Sequence, residues 1–228
     1  MASSRRSSRS AIADRDDGAD GLAPLARLAL AYAPARARAD WLTVLLLDTR
    51  LAAVVRSARE PMLAQVRLAW WRDRLGEESS LWPRGEPLLA RLRSWGDTAA
   101  DLVALVDGWE ALLGEPPLAG ASLQAFADGR AAAIGALARR FEVAAEAPQA
   151  LARRWALADL TLHLSDGAER SAAQALIGPN ARVRIERSLR PLAVLAGLNL
   201  RAVQRGGVEP LDGPGALLAA IRLGMFSR

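Results

Sequence analysis

The sequence predicts an all-α fold built as one helical bundle, and three observations carry that expectation. Of the 228 residues, 49 are alanine and 38 are leucine, whereas valine and isoleucine together number 16. Helix formers dominate, and the β-branched residues that favour strands are scarce. Apolar positions recur at helical spacing from Leu22 almost to the C-terminus, interrupted by proline and glycine. No fixed-period repeat and no shift in composition divides the chain, so one domain over residues 22–228 is the economical reading.

Each element follows from local chemistry. Residues 1–21 are small, polar and charged, and predict a disordered tail, because they bury too little surface to offset their ordering entropy. A first helix covers Leu22 to Ala33 and ends at Pro34, which cannot continue the hydrogen-bond ladder. A second covers about Ala37 to Ser57, with apolar residues around most of its circumference. Pro61 opens a third, which runs to Leu75. The glycine, serine and proline of 76–87 predict a loop. Further helices are expected at about 88–94, 98–113, 121–145, 148–165, 169–177, 181–205 and 214–226. Asp97 and Ser122 stand where N-caps belong.

Composition excludes several function classes. There is no cysteine, hence no disulfide, thiolate zinc site or cysteine nucleophile. The lone His163 cannot supply a two-histidine metal site, and its place between Leu162 and Leu164 predicts a hydrogen-bonded histidine of the core or a cavity. All 30 basic residues are arginine, which lifts the isoelectric point to about 11.1 although the net charge is only +5. These arginines mostly alternate with acids and apolar residues instead of clustering, which argues against nucleic acid as a partner. The densest apolar run, Trp41 to Leu47, is far short of the ~18 residues of a membrane span. With no secretory leader pattern, the expected location is cytoplasmic, with at most peripheral contact with the inner face of a membrane. Nucleophile elbows, phosphate-binding glycine loops and dinucleotide fingerprints are missing.

The most specific stretch is WLTVLLLDTRLAAVVRSAREPMLAQVRLAWWRDRL, residues 41–75. By composition alone, Trp70 and Trp71 beside Arg67, Arg72 and Arg74 read as a core aromatic pair with snorkelling arginines. The order R-E-P-M-L, then R-L-A-W-W-R-D-R-L, then WALADLTLHLSDGAER (155–170), then Arg190-Pro-Leu-Ala-Val-Leu195 and a closing LLAAIRLGMFSR resembles the squalene/phytoene synthase family over about residues 22–228. The resemblance implies a helical bundle of the isoprenoid-synthase type. It also implies head-to-head condensation of two prenyl diphosphates, with Mg²⁺ held between two facing aspartate-rich helices above an apolar cavity.

The sequence departs from that pattern at the metal-binding positions. The first acidic motif should fall at Ala52–Ala53 to Arg56, and Asp48 is the only aspartate between residues 45 and 60. The second should span Asp166 to Arg170, where Asp166 and Glu169 survive and Arg170 reverses the closing charge. Asp16–Asp20 and Asp97–Asp101 spell D-x-x-x-D by letter only, the first in the tail and the second at an expected helix start. Asp166 and Glu169 are therefore the vestigial catalytic candidates, and Asp166 is the one metal candidate. Asp48, Arg50, Arg67, Trp71 and Asp159 are the substrate-binding candidates that the resemblance implies. Asp48 lies on the stripe of Trp41, Val44, Leu45, Ala52 and Val55, so it is expected to form a buried pair with an arginine, such as Arg67 of the next helix. Arg50, Arg56, Arg67 and Arg72 form the region that would face a diphosphate.

The expected function is that of a divergent family member that has lost Mg²⁺-dependent condensation. It would bind a prenyl or lipid-like ligand or a protein partner, as a non-catalytic branch of the family does in assembly of a respiratory complex. No cofactor is expected. The alternatives are an active prenyltransferase using Mg²⁺, and a plain helical interaction module whose cavity has filled with side chains.

Overall fold

In the computed structural model, residues 18–58, 60–179, 183–206 and 209–226 are described, and all of their regular structure is helical. Most of the predicted tail, including Asp16 and Asp17, lies outside these residues. Its end does not: Ala19–Gly21 forms a 3-10 turn and Leu22 is buried.

Prolines set three of the first starts. Helix α1 is Pro24–Ala31, α2 is Ala35–Arg56 directly after Pro34, and α3 is Pro61–Gly76. Proline lacks the N–H that the first helical turn leaves unpaired in any case. Within the predicted loop, Ser79–Leu81 makes a 3-10 turn. Helix α4, Pro87–Leu92, is capped by Glu86, whose carboxylate accepts the Leu88 N–H at 3.3 Å.

The middle of the chain differs from expectation. Residues Arg93–Leu102 wind as a 3-10 helix broken at Gly96, with φ 53° and ψ −137°, and α5 covers only Val103–Glu110. Asp97 thus follows a kink inside a 3-10 segment and opens no α-helix. Asp101 instead pairs with Arg139 at 2.8 Å. Helix α6 is Gly120–Arg140, with Ala119 as its N-cap and Ser122 already inside. It stops five residues before the predicted end. Glu142 turns into the left-handed region (φ 56°), and the Val143 N–H bonds back to the Ala138 carbonyl at 2.9 Å and Glu142 N–H to Arg139 at 3.0 Å. That is a Schellman ending made without glycine.

Helix α7 is Glu146–His163, with Pro148 inside its first turn, and α8 is Gly167–Leu176. The helix predicted over 181–205 begins only at Arg190. A 3-10 turn at Arg187–Leu189 precedes α9, Arg190–Gln204. Pro191 has no N–H for the carbonyl four residues back, so the helix does not extend upstream through it. The last helix, α10, is Pro214–Phe226.

Packing is centred on α6 and α7, which lie side by side. Helix α5 crosses α6, α9 lies on α7, and α10 and α1 pack on α9. One cluster of buried apolar side chains runs through every helix. Trp41 ties α2 to the turn before α9 by donating its indole N–H to the Ser188 carbonyl at 2.7 Å. Among the described residues no helix is long and apolar enough to cross a membrane.

Candidate functional site

Charge in the interior gathers around Arg130, in the middle of α6. Its position follows from the chain: Leu123, Phe126, Ala127, Arg130, Ile134 and Leu137 recur at helical spacing and all are buried. A guanidinium on that stripe must be paired. Arg130 meets Asp48 of α2 side-on, with Nε to Oδ1 at 3.1 Å and Nη2 to Oδ2 at 2.8 Å. Its Nη1 donates to Asp159 Oδ2 of α7 at 2.6 Å. Trp109 of α5 adds a fourth helix, its Nε1–H donating to Asp48 Oδ1 at 2.8 Å, and Asn199 of α9 reaches Asp159 Oδ1 at 3.4 Å.

Aromatic rings enclose the cation. The guanidinium carbon lies 5.2 Å from the Trp109 ring centre, 4.8 Å from Phe126 and 4.7 Å from Trp155. All are within cation–π range. Burial opposes the charge of Arg130, but the carboxylates of Asp48 and then Asp159 outweigh it, so its pKa is raised and it stays protonated at any workable pH. The void beside it, between Trp41, Asp48, Leu105 and Trp155, is about 10 Å³.

The structure therefore brings Asp48 and Asp159 together, through a partner that the sequence reading missed. Asp48 does not pair with Arg67. The inward face of α3 is Ala64, Leu68, Trp71 and Leu75, and Arg67 lies off it, exposed. Arg50, Arg67 and Trp71 meet elsewhere, in a surface cleft of about 380 Å³ that Trp70 and Glu86 also line. Arg50 is 3.8 Å from Glu86 there. Arg72 turns to Asp107, 2.6 Å away, and to Glu110, and its pKa is raised by the hydrogen bond to Glu110 first. Arg56 is exposed.

Asp166 and Glu169, the catalytic candidates of the sequence, have structural contacts. Asp166 is the N-cap of α8, its Oδ1 accepting the N–H groups of Ala168 (2.8 Å) and Glu169 (2.9 Å). Glu169 is buried and accepts the Leu118 N–H at 2.6 Å, which pins the loop before α6. Replacing Asp166 with alanine should lower stability by about 1 kcal/mol, the usual effect of losing such a cap, in urea unfolding. His163 corrects another expectation. Its side chain is 63% exposed in the last turn of α7, and Nδ1–H donates to the Asp159 carbonyl at 2.7 Å.

Mg²⁺, implied by the resemblance, does not fit these groups. The two facing carboxylates already hold a guanidinium between them, and Asp166 and Glu169 accept backbone N–H groups. Among the described residues no three or more acids and histidines form a group able to hold a metal ion. No protein-family model, curated protein or solved structure matches the chain.

Proposed function

We propose that the chain is a divergent squalene/phytoene synthase-family protein, of the isoprenoid-synthase bundle type, that does not condense prenyl diphosphates. In this reading it works by binding, as an assembly-type protein whose outer surfaces meet a partner. One observation carries the proposal. Asp48 of α2, the helix on which the first acidic motif should fall, is joined through Arg130 to Asp159 of α7, the helix that leads into the second motif, and three aromatic rings fill the space around the guanidinium. Small-molecule sites usually need several hundred Å³. The void at this place is about 10 Å³, which favours an occupied core over a prenyl pocket. Any lipid-like ligand would then be held outside the bundle.

Incubation with farnesyl or geranylgeranyl diphosphate and Mg²⁺ should release no diphosphate above background. Nor should either compound raise the melting temperature, whereas a ligand at a hundred times its Kd stabilises by about 2.7 kcal/mol. Diphosphate release that disappears in an Asp166→Ala, Glu169→Ala double variant would overturn the proposal. A rise in Tm without release would replace it with prenyl binding.

A further inference from the structure

We infer that the outer face of α3, with the arginine-lined cleft beside it, is a docking surface for an anionic lipid bilayer. The inference rests on α3 itself and is independent of the family reading.

Helix α3 carries two apolar stripes. Ala64, Leu68, Trp71 and Leu75 are buried, and they suffice to hold the helix on the bundle. Met62, Leu63, Val66 and Trp70 share another face at 100° per residue, and they are 72, 55, 64 and 38% exposed. Large apolar side chains grouped on one exposed face mark an interaction site. These protrude from the helix between Glu60 and Asp73, about 12 Å from Met62 to Trp70 at 1.5 Å per residue. A ridge of protruding methionine and leucine ends needs a matching pocket in a protein partner, but a fluid acyl layer takes it without one.

Charge identifies the kind of lipid. From Arg50 to Arg67 the chain carries four arginines and one acid, Glu60, a net +3 in a protein of net +5. Trp70 belongs both to the ridge and to the cleft lined by Arg50, Ser57, Arg67 and Glu86. Arg67 has no ion-pair partner among the described residues, and Arg50 has only the 3.8 Å contact with Glu86. Guanidinium forks suit phosphate oxygens. Tryptophan suits the boundary between headgroup and acyl chain. An amphipathic helix with arginines flanking an aromatic and aliphatic ridge lies in that boundary and does not span.

Sedimentation of the full chain with vesicles tests this. The protein should bind mixed phosphatidylglycerol–phosphatidylcholine vesicles, bind pure phosphatidylcholine much more weakly, and lose affinity as salt rises. Arg67→Gln should weaken binding about fivefold, as expected for one basic residue at an anionic surface. Val66→Asp, at an exposed position that leaves the circular dichroism unchanged, should weaken it more than tenfold. Gln174→Asp, at an exposed position of α8, should have no effect. Three results with vesicles would overturn the inference: equal binding to both vesicle types, Val66→Asp binding like the parent, or full competition by inorganic phosphate but not by chloride at the same ionic strength, which would make the cleft a site for a free anion. Self-association that Val66→Asp abolishes would likewise overturn it, assigning the ridge to a second copy.

Discussion

Replacing Arg130 with methionine should lower unfolding stability by about 3–5 kcal/mol, because it removes one member of a buried ion network and leaves the others uncompensated. Asp48 would keep only the Trp109 N–H, and Asp159 the 3.4 Å contact with Asn199 and the 3.6 Å approach of the exposed His163 ring. The three rings around the guanidinium would lose their cation as well. For a chain of this size the loss corresponds to a fall in Tm of roughly 6–20 °C. Methionine is apolar and of similar length, so the change tests charge more than volume. Combining Arg130→Met with Asp48→Asn and Asp159→Asn should recover much of the loss, since the uncompensated carboxylates are then gone. A cost below about 1 kcal/mol for Arg130→Met in urea unfolding would refute the network as a stabilising centre. A triple variant as unstable as the single would assign the effect to packing. The loss should also persist at high salt, where exposed pairs such as Arg153–Asp128 are screened.

The helical architecture was legible because proline and glycine punctuate an otherwise continuous apolar pattern. Pro61 stands at a helix start for the reason the sequence suggests, whereas Pro24 and Pro87 open helices that the sequence places two residues earlier and one residue later. Boundaries failed where backbone geometry, invisible in composition, decides the matter. Glu142 takes a left-handed turn that glycine usually makes, and residues 97–102 wind as a 3-10 helix.

The interior site was legible in part. Asp48 stood out as an acid on an apolar stripe, and Arg130 carries the same signal on the stripe of Phe126 and Ile134. What sequence cannot supply is the pairing. The chain puts Asp48 and Arg67 on consecutive helices, but the face that α3 buries is set by Leu68, Trp71 and Leu75, and that rotation carries Arg67 outward. Asp166 illustrates the converse. An acid read as the remnant of a metal-binding motif is an N-cap once the helix start is fixed at Gly167.

Substituting Gly129 with alanine should also be destabilising, although it adds one methyl group to a residue that sits in a helix. Gly108 of α5 and Gly129 of α6 face each other where these helices cross. A Cβ at Gly129 would lie 2.4 Å from the Ala104 carbonyl oxygen and 2.9 Å from the Gly108 Cα. Both atoms are backbone, so no rotamer change relieves the clash and the helices must separate. Overpacking of this kind costs about 1–3 kcal/mol and sometimes more, against about 1 kcal/mol gained from the better helix propensity of alanine. Because the obstacles are backbone atoms, the cost lies at the upper end of that range and the net loss should approach about 2 kcal/mol. Gly135→Ala is the control within the same helix, because its nearest contact, 2.3 Å away, is the movable end of the Gln149 side chain. It should be close to neutral, and equal effects at the two positions would refute the crossing argument. The crossing also explains the site. Trp109 follows Gly108 and Arg130 follows Gly129, so the close approach of the two backbones sets both groups on Asp48. Gly129→Ala should therefore weaken the Arg130 network as well as the packing. In a double-mutant cycle, adding Gly129→Ala to Arg130→Met should cost less than it does in the parent chain. Strict additivity would mean that the helix crossing and the charge network are independent.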